Sequence, residues 1–225
     1  MRIKSKIIMV AAMVFFVIAA VLYMGYPQKN QDLDIEYVGS SIEADSDLPW
    51  NLVLVNRWNQ VPKGVEPKLA RVPGGEKVDR RIFEPLTEML NDAEDEGLEP
   101  IVVSGYRDEK EQARLYDEKV NEYRMQGYSK EDSAQLAQQW VNRPGYSEHQ
   151  LGIAVDINGA TYDIYLWLQE NSYKYGFIFR YPGNKTEITG GAEEVWHYRY
   201  VGVEAATQIW EQGICLEEYL ENQKI

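Results

Sequence analysis

Residues 7–26 carry no charge, and almost every side chain there is apolar. Twenty such positions, at about 1.5 Å rise each, cross the roughly 30 Å hydrocarbon core as one helix. Arg2, Lys4 and Lys6 precede the run. Positive charge stays on the cytoplasmic side, so residues 1–6 are expected as a cytoplasmic tail, 7–26 as a single transmembrane anchor, and the rest outside the cell. A cleaved signal peptide is the competing reading; the run is long for one, and no clean Ala-x-Ala site follows it. Residues 27–48 are polar and acidic with little apolar periodicity, which predicts a flexible stalk. An apolar, β-branched run at 52–55 marks the start of a folded domain over 49–225.

Within that domain the period of the apolar positions switches repeatedly. Ile82, Leu86, Met89, Leu90 and Ala93 share one helical face, which predicts a helix over 80–97 with Gly97 as its stop. Residues 101–103 form a short buried-strand candidate that ends in the polar cluster 104–107. Ala113, Tyr116, Val120 and Tyr123 predict a helix over 108–124. Ser129 and Asp132 have the spacing of a helix N-cap, with the helix running to about Val141 before Pro144 and Gly145 break it. "GIAVDI" reads as a strand, 161–173 as a helix with Ile164, Trp167 and Leu168 inward, "YPGNKTEITGG" as loop, and "WHYRYV" as an aromatic strand of period two. One or two helices close the chain over 203–221. Irregular alternation of helices and short strands, with no Gly-rich phosphate loop, predicts a compact α+β domain: a small, mainly antiparallel sheet flanked by helices.

Composition narrows the function. A length of 225 residues allows one ordinary globular domain plus an extra segment. A formal net charge of -13 sets nucleic acid aside as a partner. Cys215 is the single cysteine, so neither an internal disulfide nor a Cys-rich zinc site can form. It reads as a small buried hydrophobe rather than a nucleophile, because no histidine lies near it in sequence. The absence of a cysteine at the end of the apolar run also excludes a lipoprotein signal. Oligomeric state is not legible.

The chain has two histidines. With one cysteine, the economical zinc site is two histidines and one carboxylate, leaving a position open for water. His149 precedes the "GIAVDI" strand. Alternation there sends Ile153, Val155 and Ile157 into the core and puts Asp156 on the other face with Gly152 and Ala154, whose small size leaves room for an ion. His197 begins the aromatic strand and shares a face with Arg199, with Glu194 on the turn before it. A carboxylate beside an activated water can serve as general base and then general acid. Each stretch alone also fits a structural histidine satisfied by a carboxylate. Arg107, at the end of the first strand candidate, could grip a carboxylate in two-point fashion or simply pair on the surface with Asp108 or Glu109.

"SGYR" with Gln112 five residues on, "PGYSEHQLGIAVDI", "FIFRYP", "ITG" and "EVWHYRYVG" together resemble the VanY-type D-alanyl-D-alanine carboxypeptidases. These belong to a zinc peptidase family shared with the VanX dipeptidases and the L,D-carboxypeptidases of Gram-positive bacteria. The resemblance covers roughly residues 51–213. It implies one Zn2+ per chain on His149, Asp156 and His197, with Glu194 as catalytic base and Arg107 stabilising the substrate or its oxyanion. It also implies that Ser147 and Gln112 line the substrate site. The implied activity is removal of the terminal D-alanine from peptidoglycan precursor peptides ending in D-Ala-D-Ala, outside a membrane to which the chain is anchored. Loss of that D-alanine would remove the ligand of glycopeptide antibiotics such as vancomycin. An L,D-carboxypeptidase acting on tetrapeptide stems shares the same zinc core, and a non-catalytic wall-binding module would share the fold.

Overall fold

The "GIAVDI" alternation is realised as a central strand. In the computed structural model, which describes residues 49–223, six strands occur in two sheets. β1 (Leu69–Arg71) and β2 (Lys77–Asp79) form a small hairpin. β3 (Ile101–Ser104), β4 (Ala154–Asn158), β5 (Phe177–Phe179) and β6 (His197–Tyr200) form an antiparallel sheet in the order β3-β4-β6-β5. The expected anchor at 7–26, the tail 1–6 and the stalk 27–48 lie outside the described residues. Among the described residues no helix is long and apolar enough to cross a membrane.

Register and the two-residue period divide the sheet into two faces. Val155 lies opposite Tyr198, and Tyr198 opposite Phe179. With Ile153, Ile157 and Phe177 they make the apolar face. α1 (Phe83–Asp95) and α4 (Asp163–Asn171) cover it with Leu86, Met89, Leu90 and Ala93, and with Ile164, Trp167 and Leu168. These are the positions that the helical spacing selected. The other face carries Asp156 directly opposite His197, and one row along Ala154 opposite Arg199 and Arg199 opposite Ile178. One sheet therefore presents oil to one side and chemistry to the other.

Local chemistry sets the helix bounds. Asp79 accepts from Arg81 N at 2.9 Å, starting a 3-10 turn (Arg80–Ile82) that runs into α1. The predicted helix start at 80 is thus a tighter turn than an α-helix. Asp108 caps α2 (Glu109–Met125), and Ser129 caps α3 (Lys130–Ala137). α3 stops four residues short of Val141, and carbonyls beyond it serve other partners. Gln139 O accepts from Ala192 N, and Asn142 O accepts from Gln112 Nε2. A single helical turn, α5 (Thr186–Thr189), interrupts the segment read as loop. β1, β2 and β5 were not foreseen: each is three residues long, too short for a period to register. The C-terminal region divides into α6 (Val203–Gln212) and α7 (Leu216–Asn222) at Gly213, whose φ of 62° ends α6 left-handed. Cys215 is buried at that junction, and burial foremost pushes its thiol up to about 12, so it is the inert small hydrophobe expected.

Candidate metal centre and catalytic cleft

His149 does not sit on the strand. It occupies a 3-10 turn, Glu148–Leu151, that Gly152 closes with φ 71°. Gly152 leaves no room for an ion: a Cβ there would lie 3.0 Å from Asp79 N and 3.4 Å from Pro67 Cβ, so its smallness serves packing against β2. The turn delivers His149 over the start of β4, and the β4–β6 register supplies the other two groups.

Three atoms converge. His149 Nε2 is 3.3 Å from His197 Nδ1 and 3.4 Å from Asp156 Oδ1, and His197 Nδ1 is 3.0 Å from Asp156 Oδ1. All three residues are buried. Tetrahedral zinc with ligands at 2.0–2.1 Å separates its donor atoms by roughly 3.3 Å, so the triangle fits the ion closely. The hydrogen-bond pattern agrees. His149 Nδ1 lies 2.7 Å from Gly105 O, which can only accept, so Nδ1 carries the proton and Nε2 turns a lone pair into the triangle. Burial, with Arg107 next, lowers His149 to about 4 and keeps it neutral. Around His197 stand the carboxylates of Asp156, Glu148 and Glu194. Burial opposes a charge on His197, but its bonds to Asp156 and Glu148 outweigh that and raise it to about 9. This carboxylate-rich pocket favours a positive charge at its centre, which a divalent cation supplies by displacing a proton.

The second oxygen of Asp156 accepts from Arg107 Nη2 at 2.7 Å. Burial would raise the Asp156 carboxyl; the histidines, His149 first, outweigh it and hold it well below the usual range. Arg107 is therefore no surface residue pairing with its neighbours. Its Nε donates to Ser104 Oγ at 2.9 Å and its Nη1 to Gln112 Oε1 at 3.3 Å, while Asp108 is engaged as the cap of α2. Gln112 is fully buried, and its amide nitrogen donates to Asn142 O at 2.6 Å. It thus steadies Arg107 while lining the cleft, with a second amide N–H and a second oxygen lone pair not used by these bonds.

A cleft of about 350 Å³ opens onto these groups, lined by Arg107, Gln112, Ser147, Tyr181, Glu194 and Trp196 among others. Ser147 is buried, makes no cap bond and lies in the cleft lining. Glu194 Oε2 stands 3.7 Å from His197 Nδ1, adjacent to the triangle but outside it. Burial foremost pushes its carboxyl up to about 7, the range suited to a group that must both take and return a proton near neutrality. All seven residues singled out from the sequence meet at this site. Tyr181, whose ring centroid lies 5.0 Å from that of His197, was not singled out. Nor was Glu148, which faces the outer nitrogen of His197. Glu148 follows a cleft serine and precedes a ligand, and that adjacency was the only signal available.

Comparison with known proteins gives a consistent picture. The family model described as VanY, D-alanyl-D-alanine carboxypeptidase, matches residues 75–203. A D-alanyl-D-alanine carboxypeptidase of Enterococcus faecalis is 49% identical over 187 residues, covering 81% of this chain and 70% of that protein. The solved structure of VanYB in complex with D-alanine-D-alanine is similar, with a TM-score of 0.75 and 50% identity, over 77% of this chain and 98% of that one. A mutant of the vancomycin resistance D,D-pentapeptidase VanY from a VanB-type cassette, in complex with Zn(II), has a TM-score of 0.74 and 50% identity, over 76% and 99%.

Proposed function

Because this chain belongs to the VanY family of D-alanyl-D-alanine carboxypeptidases, we propose that it is a zinc D,D-carboxypeptidase that removes the terminal D-alanine from peptidoglycan precursor peptides ending in D-Ala-D-Ala. The observation that carries the reading is the convergence of His149 Nε2, Asp156 Oδ1 and His197 Nδ1 at zinc-binding separations, with Glu194 beside them in an open cleft.

A zinc ion on these three groups supplies Lewis acidity, lowering the pKa of a water molecule and polarising the scissile carbonyl. Glu194 takes the proton of the attacking water on a carboxylate oxygen. The oxygen adds to the carbonyl carbon, and Arg107, held by Ser104, Gln112 and Asp156, offers its remaining N–H groups to the oxyanion that develops. Glu194 then passes its proton to the departing nitrogen as the C–N bond breaks, releasing D-alanine. Burial foremost holds the Glu194 carboxyl up near 7, where one group can both accept and return a proton close to neutral pH. Ser147 forms part of the wall against which the peptide lies.

The reading extends to the whole chain. Residues 7–26 anchor it in the cell membrane, 1–6 remain cytoplasmic, 27–48 serve as a stalk, and the catalytic unit 49–225 works on wall precursors outside the cell. Removal of the terminal D-alanine there would deplete the target of vancomycin. The test is release of D-alanine from a pentapeptide ending in D-Ala-D-Ala, run beside a tetrapeptide stem, with and without a chelator. Release from the pentapeptide that the chelator abolishes is the expected result. Release from the tetrapeptide alone would overturn the D,D assignment, and release insensitive to the chelator would overturn the zinc mechanism.

A further inference from the structure

Glu148 is one of the most deeply buried charges in the domain, yet nothing in the mechanism above uses it. Its Oε1 accepts from Arg180 Nε at 2.7 Å and from Arg199 Nη1 at 2.8 Å, and all three side chains are fully buried. Its Oε2 lies 3.4 Å from His197 Nε2, and among the described residues it has no other partner. The two arginines are fixed in turn. Arg180 grips Glu217 on α7 with both terminal nitrogens, at 2.9 and 2.7 Å. Arg199 donates to the carbonyls of Asn51 at 3.1 Å and Val53 at 2.8 Å. Glu217 also accepts from Asn56 Nδ2 at 2.9 Å. A chain of buried charge thus runs from the ends of the domain to the outer nitrogen of one histidine of the metal triangle.

Such a cluster is costly to desolvate and is weak evidence for stability in itself. Neutralising two buried arginines requires a carboxylate nearby, but it does not require the second oxygen to end on His197 Nε2. An imidazole whose Nδ1 faces a metal must carry its proton on Nε2, and a carboxylate at Nε2 selects that tautomer and fixes the ring plane. We infer that Glu148 is a positioning residue: clamped by Arg180 and Arg199, it holds the His197 Nε2 proton and thereby aims His197 Nδ1 at the metal. His149 is set the opposite way. Its Nδ1 donates to Gly105 O and its Nε2 faces inward. The two histidines of the chain therefore hold the ion in opposite tautomers, one locked by a backbone carbonyl and the other by a buried carboxylate.

The inference rests on the metal reading of the site, and the experiment separates the two. Zinc affinity of the unaltered protein and of Glu148→Gln is measured by competition with a chromophoric chelator. The zinc-loaded proteins, labelled with ¹⁵N-histidine, are then examined by NMR for which ring nitrogen carries the proton. With only two histidines in the chain, the spectrum assigns readily. The expected result for the unaltered protein is one histidine protonated on Nδ1 and His197 protonated on Nε2, the latter proton strongly deshielded. In Glu148→Gln that deshielding should fall and zinc affinity should drop about 10- to 100-fold, the usual scale for removing such a partner. Equal zinc affinity in the folded variant, or His197 holding zinc through Nε2, would overturn the inference and leave the enzymatic assignment intact. Failure of the unaltered protein to bind zinc would overturn both. If Glu148→Gln does not fold, Glu148→Asp, which keeps a carboxylate for Arg180 and Arg199 but draws it back from His197 Nε2, is measured instead; a loss of zinc affinity supports the inference and an unchanged affinity overturns it.

Discussion

Glu194 and Gly105 show how differently two residues of one site can matter. Glu194 stands beside the triangle without belonging to it. Glu194→Gln is therefore expected to lower kcat on the order of 10²-fold or more while the bound zinc, measured by elemental analysis, stays at one per chain. Gly105, in "SGYR", contributes no side chain, and that is its function. A Cβ there would lie 2.2 Å from the backbone oxygen of Lys77, which already accepts from Tyr106 N at 2.6 Å. Since Gly105 O is the acceptor that sets the tautomer of His149, any side chain displaces that acceptor. Gly105→Ala is expected to weaken zinc binding about tenfold or more, read by chelator competition, without touching a ligand. His149 and His197 stood out in the sequence because the chain has two histidines, whereas Asp156, one of 36 acidic residues, was picked out by the strand alternation and the family resemblance. Glu148 was not, since a glutamate beside a histidine reads as solvated until Arg180 and Arg199, over thirty residues away, are seen to bury it.

At the scale of elements, what the sequence disclosed depended on length. α1 and α4 span enough turns for their apolar stripes to declare themselves, and every predicted core position on them is buried. β4 and β6 show the two-residue period, and their pairing fixes the Asp156–His197 contact that the faces only suggested. β5 and the β1–β2 hairpin are held by tertiary pairing rather than by any local pattern. The Asp79 cap ties that hairpin to α1. Burial would raise the Asp79 carboxyl, but its bonds to Arg81 lower it below the ordinary value. A lowered pKa means stability that is present above the unfolded-state pKa and lost as pH falls through the folded one. Asp79→Ala is thus expected to cost about 1 kcal/mol at pH 7. That difference should shrink as the pH falls below the unfolded-state value and on through the folded-state one, as followed by denaturant unfolding in the presence of chelator.

At the scale of the whole molecule, the proposed anchor would decide where the enzyme meets its substrate. If residues 7–26 span the membrane, the full chain should fractionate with membranes and resist extraction by high salt, and protease added to intact protoplasts should digest 49–225. Recovery in the soluble fraction would count against an uncleaved anchor. The buried arginines set a further limit, on how small a working piece of this protein can be. The stretch that defines the family, residues 75–203, contains every group of the metal triangle together with Arg180 and Arg199. It omits Asn51, Val53 and Glu217, the partners of those arginines. Excised at those bounds, the fragment would keep its whole catalytic inventory, break the buried Arg180–Glu217 pair, a defect of about 3–5 kcal/mol, and leave Glu148 as the one carboxylate shared by two buried arginines. It is expected not to unfold cooperatively, whereas 49–223 should. The smallest enzyme here is bounded not by its last catalytic residue but by the last counter-charge its interior requires.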